Sequence, residues 1–208
     1  TMTYEDDFGD AWNLWKLYYE GISRANAVLG ALEGSTLDET IKNRYEAEVR
    51  FLRAYTYFNL VRLYGQLPLV TKSPESLNDV LAPDSTNTEA FESEFLKQRD
   101  RADVYAFIIE DLEFAETNLP PTVVDSDAGR VTSGAASGML ARVYLAMAGK
   151  QYDYNSGQLV DGDASLYTKA AEKCSNVVQT GIYGLPDYYP SIYEVANNEE
   201  ILFLLIRF

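Results

Sequence analysis

The sequence predicts a mostly α protein: tetratricopeptide-like stacked helix pairs, with long loops and a short C-terminal strand. Three observations carry that prediction. Apolar residues recur every three or four positions over five segments, the period of a helix with one buried face. Several of them recur again at a fixed longer offset. And 208 residues, 47% hydrophobic and 24% charged, suit a globular chain large enough to bury a core.

The first helix is expected over residues 11–32, with Leu14, Trp15, Tyr18, Ile22, Ala25 and Leu29 on one stripe. Gly34-Ser35-Thr36 ends it, and Asp38 is a natural N-cap for a second helix over residues 39–63. That helix carries Tyr45, Val49, Leu52, Tyr55 and Leu60 and stops at Gly65 and Pro68. Residues 67–70 suit a short strand, and residues 73–94 form a long polar connection. A third helix follows over residues 99–118, closed by Pro120-Pro121. Thr132 or Ser133 caps a fourth helix of small residues that runs to Gly149. Residues 151–163 read as a polar loop, and a fifth helix covers residues 165–179.

The offset pattern is internal repetition. Tyr18, Ile22 and Leu32 return as Tyr105, Ile109 and Leu119, and Ala54 and Tyr57 return as Ala141 and Tyr144, all 87 residues on. The fifth helix repeats the third, with Tyr105, Ile108, Ile109 and Leu112 matched by Tyr167, Ala170, Ala171 and Cys174. Alanine where helices approach closely is the mark of stacked helix pairs. On this register Cys174 is expected to be a buried, inert thiol.

The chain is read as a single helical-repeat domain over residues 1–208, expected to be part of a longer protein. Residues 1–21 have neither a charged leader nor an apolar core, so they are not a signal peptide. The apolar run over residues 198–208 reads as a buried strand, which needs a neighbour. No run is long enough to cross a bilayer.

Charge and composition exclude several functions. Thirty-two acidic residues against 17 basic ones leave a net charge of -15, which opposes nucleic acid as a partner and docking on anionic lipid through a basic face. The absence of histidine removes the usual neutral-pH base, the Ser-His and Cys-His nucleophile pairs and imidazole zinc sites. One cysteine supports neither an internal disulfide nor a thiolate cage. No cofactor and no metal site is expected. Asp153 to Gly157 has a faint calcium-loop look but lacks the bidentate glutamate of an EF-hand. Paired acids such as Asp161 with Asp163 read as solvated loop residues rather than a glycosidase pair. Tyrosine is abundant, with 16 copies beside nine Phe and two Trp. Most of it suits helix interfaces; the sharper reading is a surface that stacks on sugars.

Several strings taken together resemble the SusD/RagB-like family. Trp15, Tyr19, Ile22 and Ala25-Asn26 fit its first helix, and residues 47–70, AEVRFLRAYTYFNLVRLYGQLPLV, resemble its most recognisable segment. Ile109, Asp111-Leu112, Ala115 and Leu119-Pro120 follow in order. Gly129-Arg130-Val131-Thr132, Ala135-Ala136 and residues 140–145, LARVYL, come next. Gly181-Ile182-Tyr183, Leu185, Tyr188 and residues 198–201 complete the match. The resemblance implies a SusD-like α scaffold, truncated here. It also implies an outer-membrane, surface-exposed nutrient-binding lipoprotein of Bacteroidetes-type bacteria. Such a protein is not an enzyme; it binds oligosaccharide and hands it to a SusC-like TonB-dependent transporter. Neither the family's lipobox cysteine nor its large C-terminal region is present in this sequence, so membrane attachment is expected only through a lipid anchor outside it.

Candidate glycan-binding residues are Tyr4, Trp12 and Asn13. An exposed indole offers a flat apolar face to the C–H side of a pyranose, and a neighbouring amide fixes hydroxyls. For Trp12 the competing reading is a hydrophobic staple at the helix end, for Tyr4 a mobile terminus. Trp15 is expected in the core. Arg50, Arg53, Asp111 and Arg130 lie in apolar surroundings and are read as structural charge pairs that set helix register. The alternative function is a helical-repeat adaptor binding a protein or peptide, and a third is a carboxylate-dependent hydrolase.

Overall fold

The computed structural model describes residues 8–73, 97–124, 127–153 and 156–184. In chain order these form α1 (Phe8–Glu33), α2 (Glu39–Tyr64), β1 (Leu67–Pro68), β2 (Gln98–Arg99), α3 (Arg101–Asn118), α4 (Ser133–Ala148), β3 (Gln151–Asp153), β4 (Gln158–Val160) and α5 (Leu166–Gln179). The helices stand where the apolar period places them. The expected C-terminal strand, the connection over residues 74–94 and Tyr4 lie outside the described residues.

The chain divides into two compact units. The first comprises residues 1–38 and 52–108. Here α1 runs antiparallel to the second half of α2, since contact positions rise along one helix as they fall along the other. Ala11 and Trp15 meet Tyr64, Gly21 faces Thr56, and Asn26 meets Arg53. The start of α3 joins them through Phe107, whose ring stands edge-on to Tyr57 at 5.7 Å. Ile22, Tyr57, Phe58, Leu60, Val61, Leu67, Val104 and Ile108 are buried in this unit. Each such large side chain contributes about 1.5–3 kcal/mol.

Gly65 ends α2 with φ at 76° and its amide on the Val61 carbonyl at 3.0 Å, a left-handed turn that a Cβ would strain. The chain then enters β1, whose two residues pair antiparallel with β2, Leu67 opposite Arg99 and Pro68 opposite Gln98. This corrects the expected start of the third helix: Arg99 is paired in a strand, and the helix begins at Arg101.

The second unit comprises residues 39–51 and 109–208. The first half of α2 meets the second half of α3 through Arg50 and Asp111. α3 and α4 are antiparallel, with Ser137 on Glu116 and the Ser133 amide on the Pro120 carbonyl. Thr132 caps α4, accepting from the Ala135 amide. Gly134, Ala135, Ala136, Ala141 and Ala148 are buried along α4, so neighbouring helices approach closely, as its small-residue sequence requires. An added Cβ at Gly134 would lie 2.5 Å from the Tyr183 ring, whose hydroxyl meets Thr132 Oγ1 at 2.8 Å.

Two expectations fail in this unit. Residues 151–163 are not a plain loop: β3 and β4 make a hairpin, Gln151 opposite Val160 and Asp153 opposite Gln158. Strands of three residues give too short an alternation to be read against their polar surroundings. The Asp153 carboxylate, the first position of the faint calcium loop, accepts from the Ser156 hydroxyl at 2.5 Å and its amide at 3.2 Å, closing the hairpin turn.

Cys174 is exposed rather than buried. α5 buries Leu166, Ala170 and Val177, which match Val104, Ile108 and Ala115 of α3, all buried and all 62 residues earlier. The repeat offset is therefore correct. Cys174 stands about 60° round the helix from the centre of that stripe, on a flank that α3 buries through Tyr105 and Leu112 and α5 leaves exposed, as Tyr167 also shows.

Candidate functional site

The head of α1 carries an aromatic stripe. Trp12, Trp15 and Tyr19 are spaced three and four apart, so they share one face. Exposure changes steeply along it. Trp12 is 66% exposed, while Trp15 is half-buried and lies 4.8 Å from Tyr19 and 4.9 Å, edge-on, from Tyr64. The Tyr19 hydroxyl donates to the Pro68 carbonyl at 2.7 Å, and burial pushes its phenol well above the usual value of 10. Burial first, and the Tyr55 and Tyr64 phenols second, also raise Tyr18. These hydroxyls therefore stay protonated, and Tyr19 stays a donor, across neutral pH.

Asn13 is exposed but stands about 100° round the helix from Trp12, so it borders the indole rather than extending its face. Lys16, one turn beyond Trp12, lies closer to that face and is also exposed. Sequence reading missed Lys16 and Tyr64; the i, i+4 spacing signals the first, and nothing local signals the second.

The four charged candidates occupy two environments. Arg53, 5% exposed, donates to Asn26 Oδ1 at 2.6 Å and the Thr71 carbonyl at 2.9 Å, with its guanidinium 4.7 Å from the Phe107 ring. Asn26 in turn donates to the Val70 carbonyl at 2.9 Å. The Tyr57 hydroxyl accepts from the Val70 amide at 2.8 Å and lies 3.0 Å from its carbonyl. Residues 68–71 are thus fastened by four side chains from α1 and α2, the backbone groups of an extended segment being satisfied without a full sheet.

In the second unit Arg50 sits 2.8 Å from Glu46, 3.6 Å from the buried Asp111 and 4.3 Å over the Phe114 ring. Arg130 binds both oxygens of Glu48, at 3.0 and 2.7 Å, and that hydrogen bond raises its pKa further against the lowering effect of burial. Arg44 reaches Asp127 at 2.7 Å and Glu48 at 3.3 Å. Lys173 pairs with Glu116.

These pairings decide what the carboxylates can do. Glu46, Glu48, Asp111, Glu116 and Asp127 each face a cation. Asp163 is held below the usual carboxylate range by the Ser165 hydroxyl and amide, opposite in direction to a general acid. Among the described residues no three His, Cys, Asp or Glu side chains gather to hold a metal ion, and no helix is long and apolar enough to cross a membrane.

Comparison with known proteins identifies the scaffold. A family described as starch-binding and associating with the outer membrane, SusD-like, matches residues 2–145. A SusD-like protein of Bacteroides ovatus is 33% identical over 187 residues, which cover 88% of this chain and 30% of that protein. A laminarin-binding SusD-like protein of known structure superposes with a TM-score of 0.63 at 30% identity, over 90% of this chain and 35% of its own. A structure solved with xylogluco-oligosaccharide gives a TM-score of 0.68 at 32% identity, over 91% of this chain and 34% of its own. The chain spans about a third of the length of these relatives. The helical fold, the order of the matching segments and these likenesses agree: the chain belongs to the SusD-like family.

Proposed function

We propose that this chain is part of a non-catalytic, outer-membrane glycan-binding lipoprotein that captures oligosaccharide and delivers it to a SusC-like TonB-dependent transporter. The observation that carries this reading is Trp12: an indole 66% exposed at the open end of a stripe whose deeper rings are packed and hydrogen-bonded. A large apolar ring left in water on an ordered helix suits stacking against a sugar. Two similar structures, one of a laminarin-binding SusD-like protein and one solved with xylogluco-oligosaccharide, support an oligosaccharide ligand. The non-catalytic reading is supported by Glu46, Glu48, Asp111, Glu116 and Asp127, each of which faces a cation, and by Asp163, whose pKa is lowered. Leu17 and Leu63, 62% and 57% exposed, offer apolar contact for a protein partner.

The test is titration of the chain with laminari- and xylogluco-oligosaccharides while recording tryptophan emission. The emission is expected to shift on binding, and Trp12→Ala to weaken affinity about tenfold or more. An unchanged spectrum and a flat calorimetric titration with both sugars would favour the adaptor reading instead.

A further inference from the structure

The Tyr64 hydroxyl, at the last position of α2, donates to the Ala11 carbonyl at 2.7 Å. Ala11 immediately precedes Trp12. A helical carbonyl spends one lone pair on the helix ladder and keeps the second for such a donor. The Tyr64 ring also meets Trp15 edge-on at 4.9 Å, one turn further along α1. The head of α1 is therefore held by Tyr64 at the Ala11 carbonyl and at the Trp15 ring, on either side of Trp12.

That attachment matters because the first turn of a helix lacks intrahelical partners for its amides and frays. A ring carried on a frayed turn presents its face for only part of the time, and apparent affinity falls by that fraction. Trp12 itself projects into water, so its orientation depends on the backbone that bears it.

We propose that Tyr64 is a positioning residue. Its hydroxyl fixes the first turns of α1 so that the Trp12 indole is preorganised to receive a pyranose ring, an inference that rests on the glycan reading above. Tyr19 supplies the internal control: its bond to Pro68 is equally short, lies on the same stripe, and is directed away from the head of the helix.

The test compares Tyr64→Phe with Tyr19→Phe, each of which deletes one hydroxyl and keeps the ring. Hydrogen exchange is measured over α1, with thermal midpoints and affinities for laminari- and xylogluco-oligosaccharides. Tyr64→Phe is expected to speed exchange in residues 9–15 about tenfold, leave residues 22–32 unchanged, and weaken sugar affinity about three- to tenfold with little change in midpoint. Tyr19→Phe is expected to lower the midpoint and leave exchange in residues 9–15 near that of the parent.

Unaltered exchange in Tyr64→Phe overturns the proposal. So does faster exchange with full affinity, or losses of affinity and midpoint in the same proportion for both variants. If the parent chain binds neither sugar, the glycan reading fails. The exchange data then decide by themselves whether Tyr64 holds the turn.

Discussion

In the first unit the partners of the buried Arg53 guanidinium include an amide oxygen and a backbone carbonyl. In the second, Arg44, Arg50 and Arg130 meet carboxylates. The two solutions do different things. Neutral acceptors on residues 68–71 dictate a chain path, because carbonyls are satisfied only along one backbone trace. Ion pairs in the second unit lock helix to helix and helix to turn, and their partly exposed members respond to salt. A charged residue inside an apolar helix is thus not one phenomenon: in one unit it donates to the backbone of an extended segment, in the other it meets carboxylates of a neighbouring helix or turn.

The sharpest way to break this comparison is Arg53→Met. The variant keeps most of the packing against Phe107 and leaves Asn26 Oδ1 and the Thr71 carbonyl without their charged donor. Chemical denaturation is expected to show a loss of about 3 kcal/mol that changes little with ionic strength, because the guanidinium is buried. A loss that shrinks strongly in high salt would place Arg53 with the partly exposed arginines.

Glu48→Gln is its counterpart in the second unit. Glu48 accepts from two nitrogens of Arg130 and one of Arg44, with side chains 15% and 34% exposed for Glu48 and Arg130. Partial exposure limits the loss to about 1–2 kcal/mol at low salt. Molar salt should bring variant and parent closer together.

Asp163 gives the smallest effect and the only one read as a pH profile. Its folded pKa lies below the ordinary 3.8 because the Ser165 hydroxyl and amide donate to it. A depressed pKa contributes stability above the unfolded value, and that contribution disappears as pH falls through the folded one. Ser165→Ala is therefore expected to lower the thermal midpoint slightly at neutral pH, with the difference from the parent closing below 3.8. A constant difference down to strong acid would mean the serine acts as a turn former alone.

Much of this architecture was legible because helices advertise themselves. Of the repeated positions, Ile22, Leu32, Ala54 and Tyr57 and the copies Tyr105, Leu119, Ala141 and Tyr144 are buried, while Tyr18 and Ile109 are half-buried; Thr132 caps α4 as its position suggests. What escaped was set by neighbours distant in sequence. The hairpin of β3 and β4 has too few residues to show a period. Cys174 has a correct register and an uncovered flank. Trp12 and Trp15 differ by about 60° of helix rotation; Trp15, expected in the core, is half-buried against Tyr19 and Tyr64, and Trp12 stands in water. Asn26, quoted merely as part of a family string, links Arg53 to Val70; an asparagine in a helix announces no such duty.

The exposed thiol on α5 has a practical sequel. Cys174 is the one cysteine in the sequence and it faces solvent, so a maleimide dye, spin label or immobilisation tether attaches at a single defined point without engineering. The same accessibility permits air oxidation to a covalent dimer through two such sulfurs, which would imitate avidity in any immobilised-sugar assay. A reducing agent, or Cys174→Ser, separates genuine affinity from that artefact.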